Sequence, residues 1–382
     1  MHILTALTYY RPHHSGLTIY TERLARALAA RGHQVTVLTS QYEDELPRHE
    51  HLHGVDVIRL PVRARLSKGV IMPGIPFWAW KLARQADVVH LHLPQFDAAP
   101  ISLIARLLGK PVVVTYHCDL LLPHGFIHKI ANLGSNIANH ITATLANMIV
   151  TNTQDYADNS DYLSRYARKV RAIPPPVIMP EVSAAEVQAF REKFGIQPGE
   201  CVIGMLGRLA AEKGVEYLVE AMPKVLEQYP DARAIHVGQY QNVMGEEQYA
   251  QKLAPLIADL GAHWKFLGVL LSGEVSAFLH ACDVLVAPST NSTESFGMVQ
   301  VEAMTCGTPA IASDIPGARQ PVLMTKMGEV VPVAAVDELA AAIIKILANP
   351  DGYQGDIPAI TKRFSPQTIA EEYEQLFAEI TA

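Results

Sequence analysis

Cysteine is scarce in this chain. The four present, Cys118, Cys201, Cys282 and Cys306, lie far apart and form no Cys-x-x-Cys pair. That spacing argues against a disulfide framework or a structural zinc, and suits reduced thiols in the cytosol. Long apolar runs are missing too: none reaches the roughly 18–20 residues of a membrane span. The first residues, MHILTALTYYRPHH, have no charged start followed by an apolar stretch, so they read as a buried strand rather than a signal peptide. Gly-Lys-Ser/Thr and Gly-x-Gly-x-x-Gly do not occur, which removes the Walker loop and the dinucleotide fingerprint. No basic stripe is interleaved with a nucleic-acid-binding motif, so no nucleic acid partner is expected.

What is present is a 382-residue chain that is 49% hydrophobic and 18% charged, the size of two domains with large cores. The net charge of −7 hides an asymmetry. Residues 1–180 carry 18 Lys/Arg and 12 Asp/Glu, an excess of +6, and the remainder stands at −13. The first part alternates short Val/Ile/Leu runs (HILTAL, QVTVLT, VDVIRLPV, DVVHLHL, PVVVTYH, MIVTNT) with helix-length segments, the signature of a parallel sheet covered on both faces. The alternation breaks at IPPPVIMPEVSAAE, a stiff proline-rich linker. It then restarts with CVIGMLG and continues through ARAIHVG, HWKFLG, DVLVAPS, PAIAS and GEVVPV. Two α/β domains are expected, residues 1–175 and 176–365. A final helix over 366–382, capped by Ser365, is expected to pack back on the first. Ligands of such sheets bind beyond the strands' carboxyl ends, so two facing sheets imply an interdomain cleft.

Three stretches carry chemistry. In GMLGRLAAEKGVEYL a strand ends at Gly207, and Arg208 and Lys213 then stand beside the start of a helix, a ready anion site. In STNSTESFGMVQVEAMTCGTPAIAS, Glu294 precedes a helix and Glu302 lies two turns on, each able to grip vicinal hydroxyls. The amides of Ser295, Phe296 and Gly297 sit between them. In YYRPHHSGLTIY, Gly16 reaches the start of a helix, where backbone is able to approach a phosphate. Taken singly, each admits an ordinary reading as a surface loop, a helix cap or a tight turn.

Together, Gly-Arg-Leu-x-x-Glu-Lys-Gly and two glutamates with seven residues between them inside ESFGMVQVEAMTCGTPAIAS resemble the retaining GT-B glycosyltransferases of family four. GHQVTVLT, DVVHLHLP and PVVVTYHCD are similar to that family's first domain. The resemblance implies two Rossmann-like domains, a first on the acceptor side and a second holding a nucleotide-sugar donor such as a UDP- or GDP-hexose. It assigns Arg208 and Lys213 to the pyrophosphate and Glu302 to the ribose. Glu294 goes to hydroxyls of the transferred sugar, with the amides of Ser295, Phe296 and Gly297 nearby. Gly16 goes to the phosphate and His117 to the sugar. No cofactor and no metal are implied, and Asp-x-Asp, the mark of the metal-dependent transferase fold, is absent. The chain departs from the pattern in two places. Ser15-Gly16 replaces a glycine pair, and PPPVIMPE replaces Asn-Gly-Val-Asp at the hinge.

Three further features remain open. His49, His51 and His53 alternate in what reads as a polar loop, and His90 and His92 alternate in a strand; a metal site and a plain strand pattern are both conceivable. Residues 59–84 hold Arg59, Arg63, Arg65, Lys68, Lys81 and Arg84 without an acid, among Phe77, Trp78 and Trp80. This composition suits an anionic lipid surface and a lipid-linked acceptor, hence a cytoplasmic enzyme held peripherally on the inner face of the plasma membrane. The competing readings are an epimerase or phosphorylase of the same architecture, or a non-catalytic sugar-nucleotide-binding module.

Overall fold

The computed structural model describes residues 1–66, 69–119 and 126–382. The chain divides into two compact units, residues 1–176 with 365–382, and residues 177–364. The first contains β1 (His2–Ala6), α1 (Gly16–Ala30), β2 (Gln34–Gln41), β3 (His49–Leu52), β4 (Val55–Pro61), β5 (Ala64–Leu66), β6 (Gly69–Ile71), α2 (Ile75–Ala83), β7 (Val88–Leu93), α3 (Ala98–Leu107), β8 (Val112–Tyr116), α4 (Phe126–Leu145), β9 (Met148–Thr151), α5 (Gln154–Asn159) and β10 (Val170–Ala172). The second contains α6 (Ala184–Lys193), β11 (Val202–Leu206), α7 (Val215–Gln228), β12 (Arg233–Val237), α8 (Glu247–Asp259), β13 (Trp264–Gly268), α9 (Ser272–Ala281), β14 (Val284–Ala287), α10 (Met298–Thr305), β15 (Ala310–Ser313), α11 (Gln320–Thr325), β16 (Gly328–Val331), α12 (Val336–Ala348) and α13 (Ile357–Phe364). The chain then returns to the first unit as α14 (Pro366–Thr381).

The first sheet has the order β10-β9-β8-β7-β1-β2-β4-β3, and the second β13-β12-β11-β14-β15-β16. Successive strand residues enter opposite cores, which is why the runs are apolar without interruption. Ile3, Val88 and Val113 pack with α1 and α14, while Leu4, Val89 and Val114 pack with α2, α3 and α4. The last helix is capped by Ser365, whose side chain accepts from the Thr368 amide. It buries Ile369, Ala370, Tyr373, Leu376 and Phe377 completely. Burying a large side chain is worth about 1.5–3 kcal/mol, so this helix belongs to the first core.

Two expectations require correction. The segment with His49, His51 and His53 is not a loop over its first part: His49–Leu52 forms β3, antiparallel to β4, so the first sheet is mixed at its edge. His51 spends its ring on Asp56, 2.8 Å away. Arg59 does not belong to an exposed basic surface. It lies on β4 with its side chain fully buried, 2.7 Å from Glu50, and donates to the carbonyls of Pro47 and Arg11. A guanidinium has enough donors to tie two loops at once, which makes its burial tolerable. Lys68 lies outside the described residues. Arg63, Arg65, Lys81, Arg84, Phe77 and Trp80 are exposed, and Lys81 sits 4.8 Å from the Trp78 ring.

Candidate active site

Each sheet reverses its winding at one seam. In the second unit the chain steps from β11 outward to β12 and β13, then returns to lay β14 on β11's other side. Loops leaving the carboxyl ends of β11 and β14 therefore diverge, and such a switch point is where open α/β sheets hold ligands. Arg208 and Lys213 follow β11, and Glu294 to Gly297 follow β14.

The two loops are joined closely. Gly214 has φ +64°, and a Cβ on it would stand 2.1 Å from the Pro288 carbonyl oxygen. Only glycine meets both demands. The Thr290 amide donates to the Glu212 carbonyl at 3.0 Å, and the Ala211 amide to the Glu246 carboxylate at 3.1 Å. Across this junction Lys213 Nζ donates to Glu294 Oε2 at 2.6 Å. Burial alone would drive the proton off Lys213. The Glu294 carboxylate outweighs it, with Glu212 behind, and holds the ammonium above its ordinary range. Arg208 pairs with Glu212 at 2.8 Å and is more exposed. Two cations and a carboxylate thus converge at the seam, each tethered by a carboxylate.

Three residues separate Glu294 from the start of α10. Asn291 shapes its loop by accepting from the Thr293 amide and hydroxyl, at 3.1 and 2.6 Å. Phe296 anchors the loop in the core, its ring 5.8 Å from Phe364. Gly297, at φ +85°, caps the helix where a Cβ would collide with the Gln300 side chain. Amides of a helix's first turn have no partner within the helix, and Gly297 opens that turn beside Ser295 and Phe296. Glu302 projects from the second turn and is buried rather than solvated, at 8% exposure. Burial first, with Glu302 adding to it, pushes the Cys306 thiol up to about 11.

In the first unit the seam lies between β1 and β7. The loop after β1 leads to Gly16, which opens α1 behind Ser15; the Ser15 hydroxyl accepts from the Thr18 amide at 3.2 Å. Gly16 has an ordinary helical backbone. His117 follows β8, buried, with its Nε2 2.9 Å from Nδ1 of His92 and the Tyr20 ring edge-on at 4.8 Å. Burial lowers the His117 pKa to about 3, so its ring is neutral. Sequence reasoning missed the supporting cast. His90 bonds Thr115 at 2.7 Å, Thr115 bonds Tyr373 of α14 at 2.7 Å, and Tyr373 bonds Tyr20 at 2.7 Å. The alternating histidines of DVVHLHL were the available signal; their partners are too far away in sequence to be seen. Among the described residues no group of three metal-binding side chains forms.

Residues 186–362 match the model of the glycosyl transferases group 1, and residues 15–176 match a glycosyl transferase 4-like domain. The 2-deoxystreptamine glucosyltransferase of Streptomyces kanamyceticus is 31% identical, covering 86% of this chain and 88% of that protein. The phosphatidyl-myo-inositol mannosyltransferase of Mycobacterium tuberculosis is 25% identical, covering 96% and 93%. Among solved structures, Anabaena HepE in complex with UDP-glucose superposes with a TM-score of 0.78 at 21% identity, covering 99% of this chain and all of that one. Sucrose-phosphate synthase from Thermosynechococcus elongatus gives 0.76 at 22% identity, covering 99% and 98%. These likenesses establish the two-domain GT-B fold, and the chain belongs to the group 1 glycosyltransferases.

Proposed function

We propose that the chain transfers a hexose from a nucleotide-sugar donor to an acceptor, with the anomeric configuration retained and without a metal. The observation that carries this is the Lys213–Glu294 contact at the β11/β14 seam. Charge develops on the departing pyrophosphate as the bond from the anomeric carbon to the phosphate oxygen breaks. Lys213 and Arg208 lie where two fixed cations would stabilise that charge more than the ground state. Glu294, held by Lys213, is placed to accept from hydroxyls of the transferred sugar. Glu302, on the same helix's second turn, takes the ribose hydroxyls. The amides of Ser295, Phe296 and Gly297 face the donor. Gly16 gives the phosphate a close approach, and His117 contacts the sugar. The bond to the acceptor oxygen forms on the face the leaving group vacates, and the acceptor's hydroxyl proton passes to the departing pyrophosphate oxygen.

The acceptor is read from the first unit. One relative's name specifies a small aminocyclitol and another's a phosphatidylinositol, so the family does not fix this choice. On α2 the exposed side carries Phe77, Trp80 and Lys81, with exposed Arg84 capping its end, while Ile75, Ala79 and Leu82 face the core. The hairpin β5–β6 adds Arg65, and Arg63 precedes it. Aromatic and basic groups without an acid fit an anionic membrane surface and a lipid-linked acceptor. No helix among the described residues is long and apolar enough to cross a membrane.

The test is turnover of a panel of radiolabelled nucleotide sugars with and without membrane lipids, repeated in excess EDTA, with the product's anomeric configuration read by NMR. Transfer that needs lipid, survives EDTA and retains configuration is expected. Inversion, or loss in EDTA restored by manganese, overturns the mechanism. Transfer to a soluble acceptor overturns only the lipid assignment.

A further inference from the structure

We infer that Gln300 is a positioning residue: its side chain ties the turn that opens α10 to the loop that follows β15, and so holds the amides of that turn for the donor. The inference rests on the reading above that Gly297 and its neighbours face the donor, and it adds what keeps them in place.

Gly297 needs a restraint. It stands at φ +85° and ψ +61°. Glycine visits many backbone conformations at little cost, so nothing in the residue itself fixes that peptide. Gln300 meets it at two points. The Gln300 amide donates to the Gly297 carbonyl at 3.0 Å. The Gln300 side chain then folds back over Gly297, filling the place where a Cβ would stand. From there its Nε2 donates to the Ala318 carbonyl at 2.8 Å. Ala318 lies between β15 and α11, in a loop where it and Ile315 are both buried. The loops after β11, β14 and β15 are thereby laced together, the first two through Gly214 and Thr290, the last two through Gln300.

Packing alone does not account for a glutamine here. The residue is 1% exposed, and only one end of its amide is satisfied. The Ala318 carbonyl requires a donor, so the nitrogen faces it, and Oε1 is buried without a protein partner. A buried polar atom left unmatched is destabilising, and an aliphatic side chain of similar volume would avoid it. What the aliphatic chain would not do is hold the Ala318 carbonyl. The return is direction: a peptide plane fixed before the ligand arrives meets charge without reorganising.

Gln300→Leu and Gln300→Glu separate this role from packing. Leucine fills a similar volume and gives up the bond. It removes one unmatched oxygen, Oε1, and creates another at Ala318, so the Tm is expected to stay within a few degrees of the wild type's. Donor affinity is read by calorimetric titration with UDP-glucose or GDP-mannose, whichever the wild type binds. In Gln300→Leu it is expected to weaken about 10-fold, the scale of one buried hydrogen bond. Glutamate keeps the shape of glutamine. Ionised, it turns negative charge toward the Ala318 carbonyl; protonated, its O–H donates there as Nε2 did. Burial raises the pKa of a carboxyl, so Gln300→Glu is expected to bind about 10-fold weaker than wild type at about pH 9 and within about 3-fold of it at about pH 6. The same two elements carry Glu302 and the Arg319–Asp314 pair. Wild type and variant share these charges, so the ratio of their affinities reports on residue 300. A purely structural role lowers the Tm and leaves the affinity of the folded protein unchanged. Wild-type affinity in folded Gln300→Leu overturns the inference. If that variant does not fold, a Gln300→Glu ratio that is the same at both pH values overturns it. Lys213→Ala, titrated alongside, tests the underlying reading. Wild-type affinity in that variant removes the donor from the β11/β14 seam, whereas loss there with none in Gln300→Leu overturns the inference alone.

Discussion

At Lys213 two opposing demands meet. Burial disfavours its charge, and Glu294 at 2.6 Å restores it. Lys213→Ala is therefore expected to lower turnover by about 100-fold or more, since one preorganised contact to developing charge is typically worth about 3–4 kcal/mol. The residue ends a short turn outside the main helices, so the melting temperature should change little; near-normal turnover in a folded variant would remove Lys213 from the leaving-group site. The buried histidines give a second expectation. Burial lowers His90 and His117 to about 3 and His236 to about 4, and carries His92 well below its ordinary value. Above pH 6.5 both folded and unfolded chains hold these rings neutral, and stability does not depend on them. Below 6.5 only the unfolded chain takes up the protons, so each such histidine costs about 1.4 kcal/mol per pH unit of acidification. Asp97, raised by burial to about 6, acts in the opposite direction and offsets about one of them. A Tm several degrees lower at pH 5.5 than at pH 7.5 is expected by calorimetry. An unchanged Tm would mean that these rings are already charged or exposed in the fold.

The turn between β11 and α7 is an element whose form depends on one atom being absent. Gly214 combines φ +64° with an approach to the Pro288 carbonyl that leaves no room for a methyl group. Gly214→Ala must push the loops after β11 and β14 apart, breaking the Thr290 to Glu212 bond and the Lys213–Glu294 contact with it. A left-handed non-glycine residue alone costs about 1–3 kcal/mol, and the clash adds to that. Donor affinity by calorimetric titration should weaken at least 10-fold, with a urea midpoint lower than the wild type's. Unaltered affinity would show that the loops do not need this spacing. The Arg-Leu-x-x-Glu-Lys-Gly pattern made both cations visible before the fold was known. The reason its last glycine is obligatory was not, because Pro288 is 74 residues away along the chain.

For the whole molecule, the charge asymmetry changes once the fold is considered. The sequence splits +6 against −13 at residue 180, but α14 returns four glutamates to the first unit. That unit is then +2, and the second −9. Three of those glutamates already pair with Arg31 and Arg171. The proposed membrane contact would therefore have to be local, from Arg63, Arg65, Lys81 and Arg84 around Phe77 and Trp80, at up to about 1 kcal/mol per cation. Flotation with anionic vesicles is expected at low salt and should be lost near 1 M, where the screening length shortens from about 10 Å to about 3 Å. Replacing Arg63, Arg65 and Lys81 by glutamine should abolish flotation and spare donor binding. A wild type that does not float with such vesicles at low salt makes a soluble acceptor the better assignment.

The sequence by itself determined what depends on short range and on period. Uninterrupted Val/Ile/Leu runs between helical segments required parallel sheets with two covered faces, and the resemblance carried by Arg208, Lys213, Glu294 and Glu302 pointed to the segments that follow β11 and β14. Only the tertiary structure decided what depends on partners distant in the chain. It sent Arg59 inward, because Glu50 and two loop carbonyls satisfy its charge at less cost than solvent exposure of that strand. It turned His49–Leu52 into an edge strand, because β4 had an open edge to pair with. It also joined His92 to His117 and Tyr373 to Thr115, contacts 25 and 258 residues apart in the chain that no local pattern encodes. Hydrogen bonds and ion pairs of that kind depend on positions set by the packing of whole elements, so they become legible only when the cores have formed.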